Sequence, residues 1–314
     1  MDKHSIDQLQ VAVILCAYND KKNYLSEQLD SIRLQTHQNI TVYIFDDSTD
    51  QLVKNQVTRY KTLHKLKIVY RKGLQKGFAV NFINGICQAD NFDFYFLSDQ
   101  DDYWLPNKVR TSLRHAWETD LNKDFPFLYG SKTTGVDQNL KFIRHSPLQK
   151  KKLSFNNALV QNFAGGNTFC FNKKLCSIIK SYGVVDVPFH DWWIYILNSA
   201  YGGTTIYDKN SYILYRQDDN VVGINNCLIC KIQNFIKTLF FNQLRNHIDV
   251  HIDLLLKRRE IIKYKETYKI LLLLSGRYRA GYLNRLVKVI GLKLYAQSNV
   301  GNFCLLVLII FNKV

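Results

Sequence analysis

Proline and glycine are scarce, at 4 and 15 in 314 residues, and no short-period repeat is present. Collagen-like, low-complexity and solenoid architectures are therefore excluded. The first twenty residues, MDKHSIDQLQVAVILCAYND, hold a short apolar run but no basic leading region and no small-residue cleavage site. No secretory signal is expected, so the seven cysteines are read as cytosolic thiols rather than a disulfide framework. Cys227 and Cys230 form a single CxxC without a second pair, which points to buried small apolar residues and not to a zinc site. The apolar run Phe303–Phe311 has nine residues, well short of the roughly 20 that span a bilayer. Glycine-rich phosphate cradles are missing too: there is no GxGxxG after the first strand and no GxxxxGK[ST] anywhere, so the dinucleotide-binding and P-loop classes lose their main warrant. No zinc-finger, RNP-type or helix-turn-helix signature appears, and no nucleic-acid partner is expected.

Acidic residues are also outnumbered, 26 against 42 basic, giving a net charge of +16. The excess is uneven. Residues 226–314 hold 15 Lys plus Arg and 4 Asp plus Glu, while 1–225 hold 27 and 22. The chain therefore reads as a nearly balanced body, 1–225, and a strongly basic tail, 226–314. With 46% hydrophobic and 22% charged residues, it has ample material for a buried core.

Within the body, β-branched and aromatic runs alternate with helical periodicity. Strands are predicted at Val11–Ala17, Ile40–Phe45, Leu66–Tyr70 and Phe92–Leu97, with helices over Tyr24–Gln35, from about Asp50 to Thr62, and over Phe78–Cys87. Gly73–Gly77 breaks the pattern before the last of these helices. This alternation predicts an α/β fold with a mostly parallel sheet flanked by helices, and in such sheets ligands lie beyond the carboxyl ends of the strands. Those ends are acidic here: Asp46 and Asp47 after the second strand, then Asp99, Asp101 and Asp102 after the fourth. Helix N-capping accounts for one Asp per loop but not for three in four positions. Carboxylates so crowded repel unless a cation or proton is shared, so the DxD of Asp99-Gln100-Asp101 is read as a site for Mg²⁺ or Mn²⁺.

These pieces resemble glycosyltransferase family 2, a GT-A type group, and within it bacterial rhamnosyltransferase-like members. The similarity is carried by AYND (Ala17–Asp20), YLSEQLDSIRLQT (Tyr24–Thr36), FDDSTD (Phe45–Asp50), GFAVNF (Gly77–Phe82), FLSDQDDYWLPNKV (Phe96–Val109), AGGNTFCFNKKL (Ala164–Leu175), HDWWIY (His190–Tyr195) and LYRQDDNVVG (Leu214–Gly223), in the family's order over about 1–225. The resemblance implies a GT-A type (Rossmann-like) domain and a nucleoside-diphosphate sugar donor, dTDP- or UDP-linked, transferred with inversion. L-rhamnose is one candidate sugar and another hexose the alternative. A growing, lipid-linked cell-surface polysaccharide would be the acceptor.

Carried over by position, Ala17, Tyr18 and Asp47 would line the nucleoside pocket. Asp99 would lie near ribose and metal, and Asp101 would be the direct metal ligand. Gly165 and Gly166 would form a close-approach loop beneath donor or acceptor. Asp191 would be the general base, and Arg216 and Gln217 would close over the diphosphate. One of Trp192 and Trp193 is read as core, and the other, taken as Trp192, as a sugar-stacking ring. His190 is read either as a structural hydrogen-bonder or as an acceptor contact. Two departures stand out. Asp47 is followed by Ser48 where the family usually has Gly, which is expected to alter the turn. Asp218 stands where the family often has His, as a candidate further metal ligand. These departures keep open a second reading, a basic binding protein of this fold that has lost activity.

In the tail, Leu244, Ile248, Ile252 and Leu255 recur at helical spacing beside Lys257-Arg258-Arg259, Lys263, Lys265 and Lys269. A basic amphipathic helix reads as lying on an anionic membrane surface, which places the protein in the cytoplasm, peripheral at the inner face of the cell membrane. The alternative is a helical subdomain packed on the body. His247 and His251, four apart, are read as a packed or solvated helix face rather than metal ligands.

Overall fold

The computed structural model describes residues 6–119, 125–217, 243–258, 260–261, 264–275, 287 and 290–310. Asp218, Asp219, Cys227 and Cys230 lie outside these residues, as do the basic positions Arg259, Lys263, Arg277, Arg279, Arg285 and Lys288.

β1 (Val11–Ala17), β2 (Ile40–Asp46), β3 (Lys67–Lys72) and β4 (Phe94–Asp99) form a parallel half-sheet in the order β3-β2-β1-β4. The helices that return the chain between them are α1 (Tyr24–Arg33), α2 (Leu52–Leu63) and α3 (Phe78–Gln88). β1 is apolar throughout because it is buried on both faces: Ala12 and Ile14 point into one core, Val11, Val13, Leu15 and Ala17 into the other. A buried Asp20 starts α1, its carboxylate accepting the Tyr24 and Leu25 amides at 3.0 Å each.

Beyond β4 come β5 (Tyr103–Trp104), α4 (Lys108–Thr119), β6 (Phe127–Val136), β7 (Phe142–His145), a short α5 (Phe155–Ala158), β8 (Cys170–Asn172), α6 (Lys173–Tyr182), α7 (His190–Ala200) and β9 (Thr204–Arg216). Among the described residues the sheet has nine strands in the order β3-β2-β1-β4-β8-β6-β9-β5, with β7 on β6. β8 runs antiparallel to both β4 and β6, while β6 and β9 are parallel. The sheet is therefore parallel on the β1 side and mixed beyond β4, with helices against it in a GT-A type α/β arrangement.

The tail contributes α8 (Gln243–Leu256), α9 (Lys265–Leu274) and α10 (Asn299–Ile310). On α8, Ile248, Ile252 and Leu255 are buried in the same core as Trp192 and Trp193 of α7. These three residues of the apolar stripe that the sequence offers to a membrane are here packed on the body. None of the described helices is long and apolar enough to cross a bilayer.

Candidate functional site

Register brings the acidic strand ends together. Ala17 of β1 is level with Asp46 of β2, and Cys16 is level with Asp99 of β4. The two acids of the β2 turn divide their work. Asp46 is buried and accepts from the Tyr70 hydroxyl at 2.6 Å, the Lys72 ammonium at 3.3 Å and the Ser48 amide at 2.9 Å, so it fixes the turn. Asp47 donates its amide to the Ala17 carbonyl (2.9 Å) and accepts the Gln75 amide on Oδ1 (2.9 Å). Gly73 makes room for it: a Cβ there would lie 2.1 Å from that Oδ1. Ser48, which replaces the expected glycine, does not adopt a positive φ, and its hydroxyl accepts the Asn19 amide at 2.9 Å. The substitution therefore ties the turn to the loop after β1 without backbone strain.

In the DxD turn, Gln100 clamps the exposed Tyr18 by its backbone, its Oε1 accepting the amide at 2.7 Å and its Nε2 donating to the carbonyl at 3.0 Å. This side chain imitates a strand partner and fixes the β1 loop against the β4 loop. Burial first, then the charges of Asp101 and Asp191, push the Asp99 carboxyl up to about 7. Asp102 is raised as well, by burial first and then by Asp99 and Asp101. Asp102 Oδ1 accepts from Asn167 Nδ2 at 3.2 Å and so joins the DxD turn to the Gly165–Gly166 loop. Behind it lies Lys108, 2% exposed, its ammonium 3.7 Å from the centre of the Trp104 ring; burial pulls this amine down to about 7.

Mutually repelling carboxylates are the condition a divalent cation relieves. Among the described residues no three His, Cys, Asp or Glu side chains converge on one point. Held by Asp99 and Asp101 alone, Mg²⁺ or Mn²⁺ would need nucleotide phosphate and water oxygens in its other positions.

Asp191 opens α7. Its carboxylate accepts the Gly166 amide at 3.1 Å and its neighbour Trp192's amide at 2.7 Å. These bonds and the helix N-terminus favour the anion, yet burial outweighs them and the carboxyl is raised to about 6. Gly166 must be glycine here, since a Cβ would meet His190 Nε2 at 2.6 Å and Asp191 Cβ at 3.0 Å. Neither nitrogen of His190 has a hydrogen-bond partner among the described residues; its ring stacks on Phe82 at 4.1 Å, and burial holds it down at about 3.

Asp99, Gly165, Gly166, His190 and Asp191 line one cavity of about 1090 Å³. Tyr215 lines it too, its hydroxyl pushed up by burial and by Asp99, Asp102 and Asp101 in turn. In the sequence the signal for Tyr215 is the alternation of β9, which turns it to the face opposite Arg216.

Of the other expected site residues, Ala17, Tyr18, Asp47 and Asp101 do not line this cavity, and neither do Trp192, Arg216 and Gln217. Trp192 is buried, donates Nε1–H to the Ala158 carbonyl at 2.6 Å and packs edge-on to His247 and His251, so it does not reach the cavity. Arg216 is 2% exposed: it donates to the Asp101 carbonyl at 2.9 Å, pairs with Glu27 and stacks on Tyr24. It braces the DxD turn from behind instead of facing a diphosphate. Gln217 accepts from Arg144 at 3.1 Å and lies outside the cavity lining.

With this geometry in view, comparison with known proteins is informative. A dTDP-rhamnosyl transferase of Shigella flexneri, RfbG, is 26% identical over 223 residues, covering 64% of this chain and 71% of that protein. Uncharacterized glycosyltransferases of Rickettsia bellii and Nostoc sp. are 30% and 28% identical over 46% and 52% of this chain, which spans only 20% and 48% of their lengths. Among solved structures, S. aureus TarS 1-349 superposes with a TM-score of 0.56 at 17% identity, over 89% of this chain and 72% of that one. The mannosyltransferase PcManGT of Pyrobaculum calidifontis, in complex with GDP-Man and Mn²⁺, gives 0.50 at 15% identity, over 97% and 86%. These likenesses establish a shared fold. Residues 12–177, more than half the chain, match the profile of Glycosyl transferase family 2, and the chain belongs to that family.

Proposed function

We propose that the protein is an inverting glycosyltransferase acting on a nucleoside-diphosphate sugar. The observation that carries the reading is the placement of Asp191 and Asp99 on one cavity with the Gly165–Gly166 loop beside Asp191. In the proposed reaction the acceptor hydroxyl oxygen bonds to the anomeric carbon as the bond from that carbon to the diphosphate oxygen breaks. The hydroxyl proton passes to Asp191, and the bonding pair leaves with the diphosphate. A carboxyl raised to about 6 is mostly ionised at neutral pH yet more basic than an ordinary aspartate, which suits a general base. Asp99 and Asp101 would hold a divalent cation, which when bound would neutralise charge on the leaving diphosphate. Among the described cavity-lining residues Asp99 and Asp191 are the carboxylates, and one base is what single displacement requires.

The Shigella relative's name supports a dTDP-linked rhamnose as donor; another UDP- or dTDP-hexose is the second reading. For the acceptor we propose a lipid-linked surface glycan met at the inner face of the membrane. On α10, Val300, Phe303, Leu306 and Ile310 are exposed, and the helix begins where Gln297, Ser298 and Asn299 line the cavity. Seating that apolar face in an anionic bilayer would hold the cavity at the membrane surface.

Thermal unfolding with UDP, dTDP and GDP, each with Mn²⁺ or Mg²⁺, tests the donor site. A ligand at 100 times its Kd adds about 2.7 kcal/mol to the folded state, and a metal-dependent shift for one nucleotide is expected. Asp191→Asn should lower transfer about 10²–10⁴-fold while that shift persists. No shift with any nucleotide overturns the proposal.

A further inference from the structure

A second cavity, of about 680 Å³, opens off the first: Leu148, Gln149, Lys150, Lys151 and Tyr207 line both. Its lining adds Lys152 and Lys209, so four lysines line it and no Asp or Glu does. Among the described residues none of Lys150, Lys152 and Lys209 has an acidic partner. A pocket with one sign of charge, unneutralised from within, concentrates counter-ions.

The lysine segment is fixed in place. Gln297, nearly buried, accepts the amides of Lys150 (3.0 Å) and Lys151 (2.7 Å) on Oε1 and returns a bond from Nε2 to the Lys151 carbonyl (3.3 Å). Lys151 Nζ donates to the Ala296 carbonyl at 3.1 Å, so it anchors the segment while Lys150, Lys152 and Lys209 stay exposed. Ala17, Tyr18 and Asp47 line neither cavity, so the groove is entered from the side of Asp191 and the residues 148–151.

We infer that this groove binds a phosphate or diphosphate group carried by the acceptor. The inference rests on the reading of the Asp191 cavity as the transfer site. Lysine ammoniums bind such groups as point charges, and the groove would orient the acceptor before its hydroxyl reaches Asp191. The group could be the diphosphate joining a glycan to its lipid or a phosphodiester within the glycan.

The test uses the full chain in chelator, titrated calorimetrically with inorganic pyrophosphate and, separately, with glycerophosphoglycerol, against the variant Lys150→Ala/Lys152→Ala/Lys209→Ala. Pyrophosphate should bind the native chain, weaken as NaCl is raised and bind the variant at least tenfold less tightly, with the melting temperature unchanged. Preference for pyrophosphate assigns a lipid-linking diphosphate; equal or better binding of the diester assigns a phosphate within the glycan. With a phosphorylated acceptor, the variant should raise KM and leave kcat unchanged. Equal pyrophosphate affinity in both proteins, or its displacement by a nucleoside diphosphate, overturns the inference. Nucleotide binding with metal should be the same in both; its absence from both would strike the transferase reading instead.

Discussion

Asp191 faces opposed demands: a general base must be ionised when substrate arrives, but burial favours its neutral form. The backbone amides of Trp192, Gly166 and Asp191 and the Asn162 side chain offset part of the desolvation, and the balance leaves the carboxyl at about 6. Because the active form is the deprotonated one, kcat/KM should rise with pH through about 6 and fall toward zero below it. The check is kcat/KM from pH 4.5 to 8.5 at saturating cation, which would hold Asp99 ionised and keep its own titration out of the profile. A profile flat down to pH 5 would remove Asp191 from the role. Asp191 was reachable from the sequence only through the resemblance of HDWWIY; nothing in its spacing distinguishes it from a helix cap. Arg216 illustrates the opposite error. Its motif suggested a cation facing phosphate, but its partners Glu27 and Tyr24 lie about 190 positions away in the chain, and only the fold reveals that they enclose it.

Elements were the most legible level. β1, β2 and β4 follow from their largely apolar, β-branched and aromatic runs, which the core requires of strands covered by it. The loops between them were less so. Gly73 read as a break in pattern, whereas its function is to let Asp47 approach, 26 residues back in sequence. Gly73→Ala would put a methyl against Asp47 Oδ1 and Asn81 Oδ1, at 2.1 and 2.6 Å before relaxation. Stability should fall by about 1–3 kcal/mol, and the displaced carboxylate should cost nucleotide affinity at least tenfold if Asp47 lines the nucleoside pocket as the family resemblance implies. Calorimetric titration with the preferred nucleotide, on protein shown to be folded, decides this. Unchanged affinity with a shifted melting temperature would leave Asp47 a purely structural acid.

At the scale of the molecule, the basic tail divides the sequence by charge but not the structure by core, since α8 closes over α7. The sequence showed an apolar face on α8 but not what would cover it; amphipathic periodicity is the same for a helix on a membrane and one on a protein. What covers it makes docking sensitive to acid. His251 is fully buried, its ring stacked 5.5 Å from Trp193 and edge-on to Trp192, with neither nitrogen bonded among the described residues. Burial first, then His247 on the same helix, lowers it to about 3. The folded value lies below the unfolded one near 6.5, so the exposed histidine takes a proton that the docked one refuses. Its contribution is fully present above about 6.5 and is lost as pH falls toward 3, by at most about 1.4 kcal/mol per pH unit. His251→Phe keeps the stacked ring and removes the titration. Melting curves from pH 7.5 to 4.5 should fall more steeply for the native chain, the two separating by roughly 1–2 kcal/mol near pH 5. Amide exchange over 243–256 should quicken in acid in the native chain alone. Parallel melting curves would mean that α8 releases His251 without cost; His190, lowered by burial on the cavity wall in both proteins, would then account for the shared slope.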